Sequence, residues 1–311
     1  MSGGWTRRTA LLAGVTWLTA GCAPLPSQSA QQAGPSTLPS ASPLPGLTPG
    51  PTPAPVLSPA PGLSPAPVLS PEVDPQAVAE RFRSAQAAQW GLFVDGVENE
   101  LLVSHSGSTP LIALTLDACG GSSGGGVDSV LLDHLVKHGI PATLFLNQRW
   151  IEANEALARQ LARMPQFELG NHGTAHRPLT ISGKSAYGIQ GTASVDEVVE
   201  EIWSNHLTLA QMTGYSPRWF RSGTAHYDEV AVAIARELGE RVVGFTVNGD
   251  AGATYSAANV ESETRTVAPG GIVIAHMNKP ASGTAAGLAA ATTALIDEGF
   301  RFTLLDGADA R

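Results

Sequence analysis

Five apolar runs in this chain each end at residues that can bind a metal, move a proton or hold a charge. These residues are Asp117, the pair His172 and His176, Arg221, Asp250 and His276. Two neutral imidazoles with a carboxylate form a plausible donor set for Zn²⁺ or a similar divalent ion. A neighbouring carboxylate or imidazole can then take or give a proton. The residue types therefore indicate a metal-assisted reaction.

The apolar runs themselves predict strands of a parallel sheet. They cover residues 111–116, 167–170, 219–220, 242–247 and 271–275. Short continuous apolar runs bounded by Gly or Pro are typical of strands that are buried on both faces. Residues just beyond the carboxyl ends of parallel strands share one face of the fold. We therefore expect these side chains to converge in space, although they span about half of the chain.

Helical patterns separate the predicted strands. A capping box over residues 194–197 begins a helix that Gly214 ends. Helical spacing predicts further helices over residues 127–138, 228–238 and 286–298, each closed by a glycine. This alternation of strands and helices predicts an α/β fold, either a distorted barrel or an open sheet.

The order and spacing of these segments resemble the polysaccharide deacetylases of carbohydrate esterase family 4, the NodB-homology type. The resemblance covers roughly residues 110–305. The family's two metal-binding histidines lie in a His-Ser/Thr-x-x-His-Pro motif, and His172 and His176 keep that interval, with Arg177 inserted before the proline. A strand that ends Leu-x-His in the family matches Ile274-Ala275-His276.

The chain departs from the family pattern at three other motifs. The family's Thr-Phe-Asp-Asp-Gly reads Thr-Leu-Asp-Ala-Cys-Gly-Gly over residues 115–121, so that Ala118 replaces the second Asp. The family's Arg-x-Pro-x-Gly is degenerate over residues 221–224, and its Asp-Trp pair is echoed only by Asp250. The first departure concerns the metal, because in the family the first Asp is the base and the second is a ligand.

The resemblance implies a fold and an activity. The fold is a distorted (β/α) barrel of the NodB-homology type, with parallel strands and the active site at their C-terminal ends. The activity is metal-dependent removal of N-acetyl groups from peptidoglycan, a chitin-like polymer or an exopolysaccharide. His172 and His176 would hold the metal, Zn²⁺ or a similar ion such as Co²⁺. With Ala118 in the second position, Asp117 would act as the base, as a third metal ligand, or as both.

The resemblance also implies roles for three further residues. His276 would be the general acid that protonates the leaving amine, and Asp250 would hold it. Arg221 would orient Asp117. Each has a structural alternative: His276 as a buried hydrogen-bonded histidine, Arg221 in a structural ion pair, and Asp250 in an ordinary turn.

Cys119 lies two residues beyond Asp117 and invites interpretation as a ligand or a nucleophile. The sequence pairs no base with it, and free cysteines are commonly buried. We therefore predict that Cys119 is a small buried residue in a tight glycine-rich turn.

Two other functions fit the same residues. Ala118 keeps open a non-catalytic glycan-binding or scaffold lipoprotein whose metal site has decayed. An O-deacetylase or another amidase could use the same scaffold. Metal content and acetate release distinguish these functions.

Composition divides the chain into three parts. Residues 1–22 resemble a bacterial lipoprotein signal peptide whose Cys22 is lipidated; cleavage near Ala23 as an ordinary signal peptide, by the Sec or the twin-arginine route, is the alternative. Residues 23–73 form a Pro/Ser/Ala-rich linker with hexapeptide repeats, which we predict to be disordered because it cannot bury a core. Residues 74–311 form the catalytic domain, of a size that one α/β barrel occupies.

The formal net charge of −9 and the lack of a lysine or arginine cluster argue against nucleic acid as a partner. A neutral or amino-sugar polymer is compatible with this surface, whereas a strongly anionic polymer would bind against the net field. We expect a monomer that acts on an N-acetylated glycan. We also expect it to be exported and held to a bacterial membrane by the lipid on Cys22, with its domain facing the periplasm or the cell exterior.

Replacement of Cys22 by Ala is expected to abolish lipid attachment and membrane retention, because the thiol of this residue carries the lipid in lipoproteins of this type. Cell fractionation measures the effect. The control variant is Cys119→Ala, which keeps Cys22. Equal membrane association of the Cys22→Ala and parent chains would contradict the lipoprotein interpretation.

Overall fold

A computed structural model describes residues 73–306 of the chain. The helices are α1 (Pro75–Phe82), α2 (Ser129–His138), α3 (Gln148–Ala153), α4 (Glu155–Leu161), α5 (Val195–Thr213), α6 (Glu229–Glu237), α7 (Ala257–Thr264) and α8 (Thr284–Asp297). The strands are β1 (His105–Ser106), β2 (Thr109–Ala118), β3 (Ala142–Leu146), β4 (Phe167–Asn171), β5 (Trp219–Phe220), β6 (Arg241–Val242), β7 (Val247–Asn248), β8 (Ile272–His276) and β9 (Arg301–Thr303). The predicted signal peptide and the predicted linker up to residue 72 lie outside the described residues.

The strands form one curled sheet whose main path has the order β6-β5-β4-β3-β2-β8-β7. All neighbours along this path are parallel. β9 also pairs with β2 in parallel, and β1 pairs with β2 antiparallel. The predicted distorted (β/α) barrel of parallel strands is confirmed.

The apolar run over residues 242–247, predicted as one strand, is two short strands joined by a crossing. β6 lies at one end of the sheet order and β7 at the other. Val243 N donates to Phe220 O of β5 at 3.0 Å, whereas Thr246 N donates to Ile272 O of β8 at 2.9 Å. The segment thus spans the gap between the two edges. One unbroken strand could not pair with both.

The predicted helix boundaries are confirmed to within two residues for α2, α5, α6 and α8. Asp128, Ser194 and Asp228 cap the first three of these helices through hydrogen bonds from backbone N–H groups. The sequence patterns do not predict α1, α3, α4 or α7. Across residues 73–306, no helix combines the length and apolar character needed to cross a membrane.

Side chains of β2 alternate between two cores. The even-numbered residues from Ile112 to Ala118 pack with helices α2 and α8 on the outer face of the sheet. On the inner face, Leu111 belongs to a separate core with Phe145. Because strand side chains alternate, Asp117 continues this inner face. The interior of the curl therefore leads directly to the candidate site.

A buried carboxylate, Glu240, supports the sheet beside the site. Its Oε1 lies 2.7 Å from His206 Nδ1 and accepts a hydrogen bond from Asn171 Nδ2 at 3.0 Å. Asn171 ends β4, and its Oδ1 accepts hydrogen bonds from Gly173 N at 2.9 Å and from Asn205 Nδ2 at 2.7 Å. Burial raises the pKa of Glu240 despite these contacts. The start of the loop after β4 therefore depends on this network.

Replacement of Glu240 by Ala is expected to lower the free energy of unfolding by about 3–5 kcal/mol, because it removes one partner of a buried pair of ionisable groups. The matched control is Glu237→Ala, since the Glu237 carboxylate pairs with Arg81 at the surface. An exposed pair contributes about 0–1 kcal/mol. Urea unfolding followed by circular dichroism measures both variants, and equal losses would contradict the assigned role of Glu240.

Candidate active site

Asp117, near the end of β2, is held by Arg221, which follows β5. Arg221 has no exposed surface. Its Nη1 donates to Asp117 Oδ1 at 2.9 Å and to Thr115 Oγ1 at 2.8 Å, and its Nη2 donates to Gly244 O at 2.7 Å. The guanidinium also lies over the Phe145 ring, 4.4 Å from its centroid. Because a buried cation needs a counter-charge, the carboxylate of Asp117 stabilises it.

His172, the residue after β4, is positioned by the same arginine. It is 1% exposed, and its Nδ1 lies 2.8 Å from the backbone oxygen of Arg221. That carbonyl can only accept, so Nδ1 carries a proton, and Nε2 is free to bind a metal once it has lost its own proton. Nε2 lies 3.6 Å from Asp117 Oδ2 and 3.9 Å from Cys119 Sγ.

Two side chains hold the loop that connects the two candidate histidine ligands. Asn147 Nδ2 donates to Gly173 O at 2.7 Å. The Glu201 carboxylate accepts from Ala175 N at 3.0 Å and from Arg177 N at 3.1 Å. Gly173 has a φ of +74°, and a Cβ atom there would lie 2.4 Å from Glu201 Oε1. This loop therefore requires glycine at position 173 and a buried acceptor beneath it.

His176 has a φ of +62°, which is uncommon for a residue other than glycine. Its ring meets that of His172 edge-on, with 4.9 Å between centroids. Its Nε2 is buried and has no hydrogen-bond partner among the described residues. An unpaired buried polar group costs about 1–3 kcal/mol. An electrophilic ligand at this nitrogen would therefore stabilise the loop.

Cys119 lies beside the glycine-rich turn that the sequence predicts and is partly buried. Its Sγ and one nitrogen each of His172 and His176 lie within 4.8 Å of one another. Among residues 73–306, this is the group of three donors that can hold a metal, and Asp117 is not part of it. Burial raises the pKa of the Cys119 thiol, but the nearby side chains of His172, His176 and His276 hold that pKa well below its usual value. Two imidazoles and a thiolate fit a divalent metal such as Zn²⁺.

His276 ends β8 in register with Asp117 on β2. Its Nδ1 lies 2.8 Å from Asp250 Oδ1, and its backbone N donates to Asp250 Oδ2 at 2.7 Å. Thr284 Oγ1 also donates to Asp250 Oδ2, at 2.9 Å. Burial lowers the pKa of His276, but the contacts with Asp250 and Cys119 raise it well above its usual value. His276 is therefore suited to donate a proton.

The carboxyl group of Asp117 has a lowered pKa, in contrast to the raised pKa of His276. Burial raises the pKa of Asp117, but the charges of Arg221, His172 and His276 outweigh burial and lower that pKa. Asp117 is therefore ionised. A carboxylate that can accept a proton and an imidazolium that can donate one thus end two adjacent strands.

An open cavity of about 530 Å³ gives access to these groups, and its lining includes Asp117, Cys119, His176 and His276. Tyr187 also lines the cavity and leaves 77% of its surface exposed. This volume is typical of pockets for small ligands or for one end of a longer one.

The structure brings together every residue that the sequence proposes for the site: Asp117, His172, His176, Arg221, Asp250 and His276. Their catalytic and ligand roles stay predictions. Sequence analysis misses Asn147 and Glu201, and it does not place Cys119 beside the two histidines. Asn147 had a usable signal, because it follows the apolar run over residues 142–146 as the other site residues follow theirs. Glu201 had none, since it is one of several acidic residues on α5.

Residues 105–243 match the family model of polysaccharide deacetylases. Among curated proteins, the chain is similar to the uncharacterized protein YlxY of Bacillus subtilis (strain 168), with 23% identity over 210 residues. The match covers 67% of this chain and 60% of that protein. The chain thus spans about 60% of the length of this curated relative.

Two solved structures illustrate the similarity of fold. One is BA3943 of Bacillus anthracis, described as a CE4 family pseudoenzyme, with 24% identity, coverage of 64% of each chain and a TM-score of 0.54. The other is the Bc1960 peptidoglycan N-acetylglucosamine deacetylase, with 22% identity, coverage of 69% of this chain and 94% of that one, and a TM-score of 0.55. At these identities the likeness supports the fold.

Replacement of Arg221 by Met is expected to lower the free energy of unfolding by about 3–5 kcal/mol, because Asp117 is left as an unpaired buried charge. The pKa of Asp117 then rises. A carboxyl group whose pKa is lowered by folding contributes stability that is complete above its ordinary pKa and is lost as the pH falls through the lowered pKa, so the deficit is largest near neutral pH and narrows in acid.

Urea titrations over a pH series, with a chelator present, measure this deficit. The control is Arg218→Met, whose side chain is 48% exposed and pairs with Glu168 and Asp306. A loss no greater than that of the control, or a deficit that does not change with pH, would contradict the assigned coupling of Arg221 and Asp117.

Proposed function

Residues 105–243 belong to the polysaccharide deacetylase family, and from that premise we propose that this chain is a metal-dependent hydrolase that removes N-acetyl groups from a polysaccharide. One observation carries the proposal: Asp117 and His276 lie in register at the ends of adjacent strands, beside a group of three metal donors, and share one open cavity with two of these donors, Cys119 and His176. Hydrolysis of an amide needs a base that takes a proton from the attacking water, an acid that protonates the leaving amine, and an electrophile that polarises the carbonyl.

Asp117 and His276 carry out different proton transfers. When bound, a divalent metal polarises the acetyl carbonyl and makes water more acidic. Asp117 takes the proton from the attacking water through Oδ2, because its Oδ1 accepts from Arg221. His276 gives a proton to the leaving amine through Nε2, because its Nδ1 faces Asp250. The products are acetate and a free amino sugar.

Asp250 and Arg221 act as positioning residues in this scheme. Asp250 has no exposed surface and contacts both the ring and the backbone of His276. It therefore favours the tautomer whose Nε2 faces the cavity. Arg221 keeps Asp117 ionised and fixes its orientation.

The cavity supports a glycan as the substrate. Tyr187, Leu92 and Phe245 line it together with the polar groups, and aromatic and apolar walls with a few polar groups are typical of ligand sites. The net charge of −9 favours a neutral or amino-sugar polymer over a strongly anionic one. The description of Bc1960 as a peptidoglycan N-acetylglucosamine deacetylase supports the same substrate class.

Export and membrane attachment form a separate part of the proposal. The pattern around Cys22 at the end of the apolar leader supports lipidation, and the Pro-rich linker would then hold the domain away from the membrane. A cell-envelope glycan lies within reach of such an arrangement.

A second candidate function is non-catalytic glycan binding. Ala118 replaces the family's second Asp, and the similar BA3943 is described as a pseudoenzyme. Acetate release from peptidoglycan, chitin oligomers and an acetylated exopolysaccharide separates the two. Binding of these glycans by the metal-loaded chain without acetate release would favour the second function.

Variants of the three site histidines are expected to separate metal binding from proton transfer. His172→Ala and His176→Ala lose bound zinc, because each removes a ligand nitrogen. His276→Ala keeps the metal and loses about 10²- to 10⁴-fold in kcat, the range for a general acid. Metal analysis of purified protein and acetate release measure the two effects.

The matched control is His105→Ala, since His105 is exposed on β1. It is expected to leave both measurements unchanged. Loss of metal in His276→Ala would assign His276 to the metal rather than to proton transfer.

A further inference from the structure

The proposed function assigns His172 and His176 to the metal and does not decide whether Cys119 or Asp117 is the third protein ligand. Catalytic zinc usually has three. We propose that the thiolate of Cys119 is the third ligand, and that Asp117 therefore serves as the base alone. This inference rests on the proposed function, since it concerns the same metal.

The direction of side chains along β2 separates Cys119 from Ala118. Ala118 has no exposed surface and packs in the outer core with the helices. Asp117 and Cys119 both line the cavity on the inner side. Strand side chains alternate between faces, so Ala118 at the end of β2 points away from the site, whereas Asp117 and the residue that follows the strand, Cys119, reach it.

The backbone on both sides of Cys119 is held in place. Asn147 N donates to Ala118 O at 3.1 Å, and Gly120 N donates to Gly124 O at 3.1 Å. Gly120 has a φ of +69°, and a Cβ atom there would lie 2.6 Å from Trp150 N. The glycine turn after Cys119 therefore has one tight conformation, which directs the thiol at the histidines.

The distances fit coordination by one ion. Zinc bonds of about 2.3 Å to sulfur and 2.0–2.1 Å to nitrogen in a tetrahedral site separate sulfur from nitrogen by about 3.6 Å. Cys119 Sγ lies 3.9 Å from His172 Nε2, and all three donors lie within 4.8 Å of one another. These separations are close to those that binding of one ion requires.

A second observation points independently to a ligand at this place. The buried Nε2 of His176 has no hydrogen-bond partner among residues 73–306. The residue also has a left-handed backbone, with a φ of +62°. Such a conformation persists where the surroundings impose it, and it occurs often at ligand sites.

When Cys119 is the third ligand, Asp117 does not have to serve both as the base and as a metal ligand. One carboxylate oxygen, Oδ1, is taken by Arg221. A carboxylate that also bound the metal would be a weaker base, because the ion would share its remaining lone pairs. A thiolate in the donor set also makes the site softer, which favours Zn²⁺ over Mg²⁺ or Mn²⁺.

Cobalt spectroscopy of the full chain tests the assignment. The protein is stripped with a chelator and titrated with Co²⁺, whose bond to a thiolate gives an intense near-ultraviolet charge-transfer band that imidazole and carboxylate ligands do not give. The parent is expected to show this band at one Co²⁺ per chain. Cys119→Ser is expected to lose it and to bind Zn²⁺ at least about 100-fold more weakly, beyond the usual effect of residues outside the ligand set.

Three further variants complete the comparison. Cys22→Ser removes the other cysteine of the chain and is expected to keep the band. Asp117→Asn is expected to keep both the band and the Zn²⁺ affinity while losing acetate release. Cys119→Asp is expected to retain metal without the band. Circular dichroism of each stripped variant establishes that it is folded.

A further measurement leaves residue 119 unchanged, so its result does not depend on whether the Cys119 variants fold. In the Cys22→Ser chain, iodoacetamide is expected to alkylate Cys119 in the stripped protein and not in the zinc-loaded protein. Equal alkylation in both states would overturn the inference. So would a parent that binds Co²⁺ without the band, or loss of metal in Asp117→Asn while Cys119→Ser keeps it.

Different results would reject the proposed deacetylase function and the proposed Cys119 ligand. A band that depends on Cys119, without acetate release from any glycan, would reject the deacetylase function and keep the thiolate ligand. Acetate release that persists in Cys119→Ser with full metal content would reject the thiolate ligand and keep the function.

Discussion

The burial of the Arg221 guanidinium is the constraint on which the rest of the site depends. The crossing between β6 and β7 leaves the carbonyl groups of Val243 and Gly244 facing the interior of the curl, and Arg221 donates to both, at 3.4 and 2.7 Å. The same side chain then requires an anion within reach, because an isolated buried cation is highly unfavourable. Asp117 is that anion. The way in which the sheet closes therefore determines where a carboxylate must lie.

The arginine also connects Asp117 to the candidate metal ligands. Its backbone oxygen faces Nδ1 of His172, which leaves Nε2 directed towards Asp117 and Cys119. The loop from His172 to His176 is held from below by Glu201 and Asn147. A site built in this way is positioned before any ligand arrives, and such preorganisation is what electrostatic catalysis requires. The supporting contacts belong to strand ends and helix α5 rather than to long loops.

Much of this arrangement could be predicted from the chain alone, for a physical reason. Parallel strands buried on both faces produce unbroken apolar runs, and the first polar residue after each run must lie at the carboxyl edge. That rule finds Asp117, His172, Arg221 and His276. It fails for residues 242–247, because an apolar run has the same appearance whether it forms one strand or joins two sheet edges. It also cannot find Glu201, whose role comes from a tertiary contact with a loop that is distant in sequence.

Cys119 shows a different limit of the sequence pattern. Comparison with a motif proceeds position by position, and at position 118 an alanine stands where the family has a metal ligand. In the fold, position 118 lies on the outer face of β2 in the hydrophobic core, whereas position 119 is on the same side as Asp117. The loss of a carboxylate at 118 is therefore not by itself a sign of decay, because the alternation of the strand and the tight glycine turn bring a thiol to the two histidines. What a metal site needs is a donor at the right point in space, and a residue one position further along the chain can supply it.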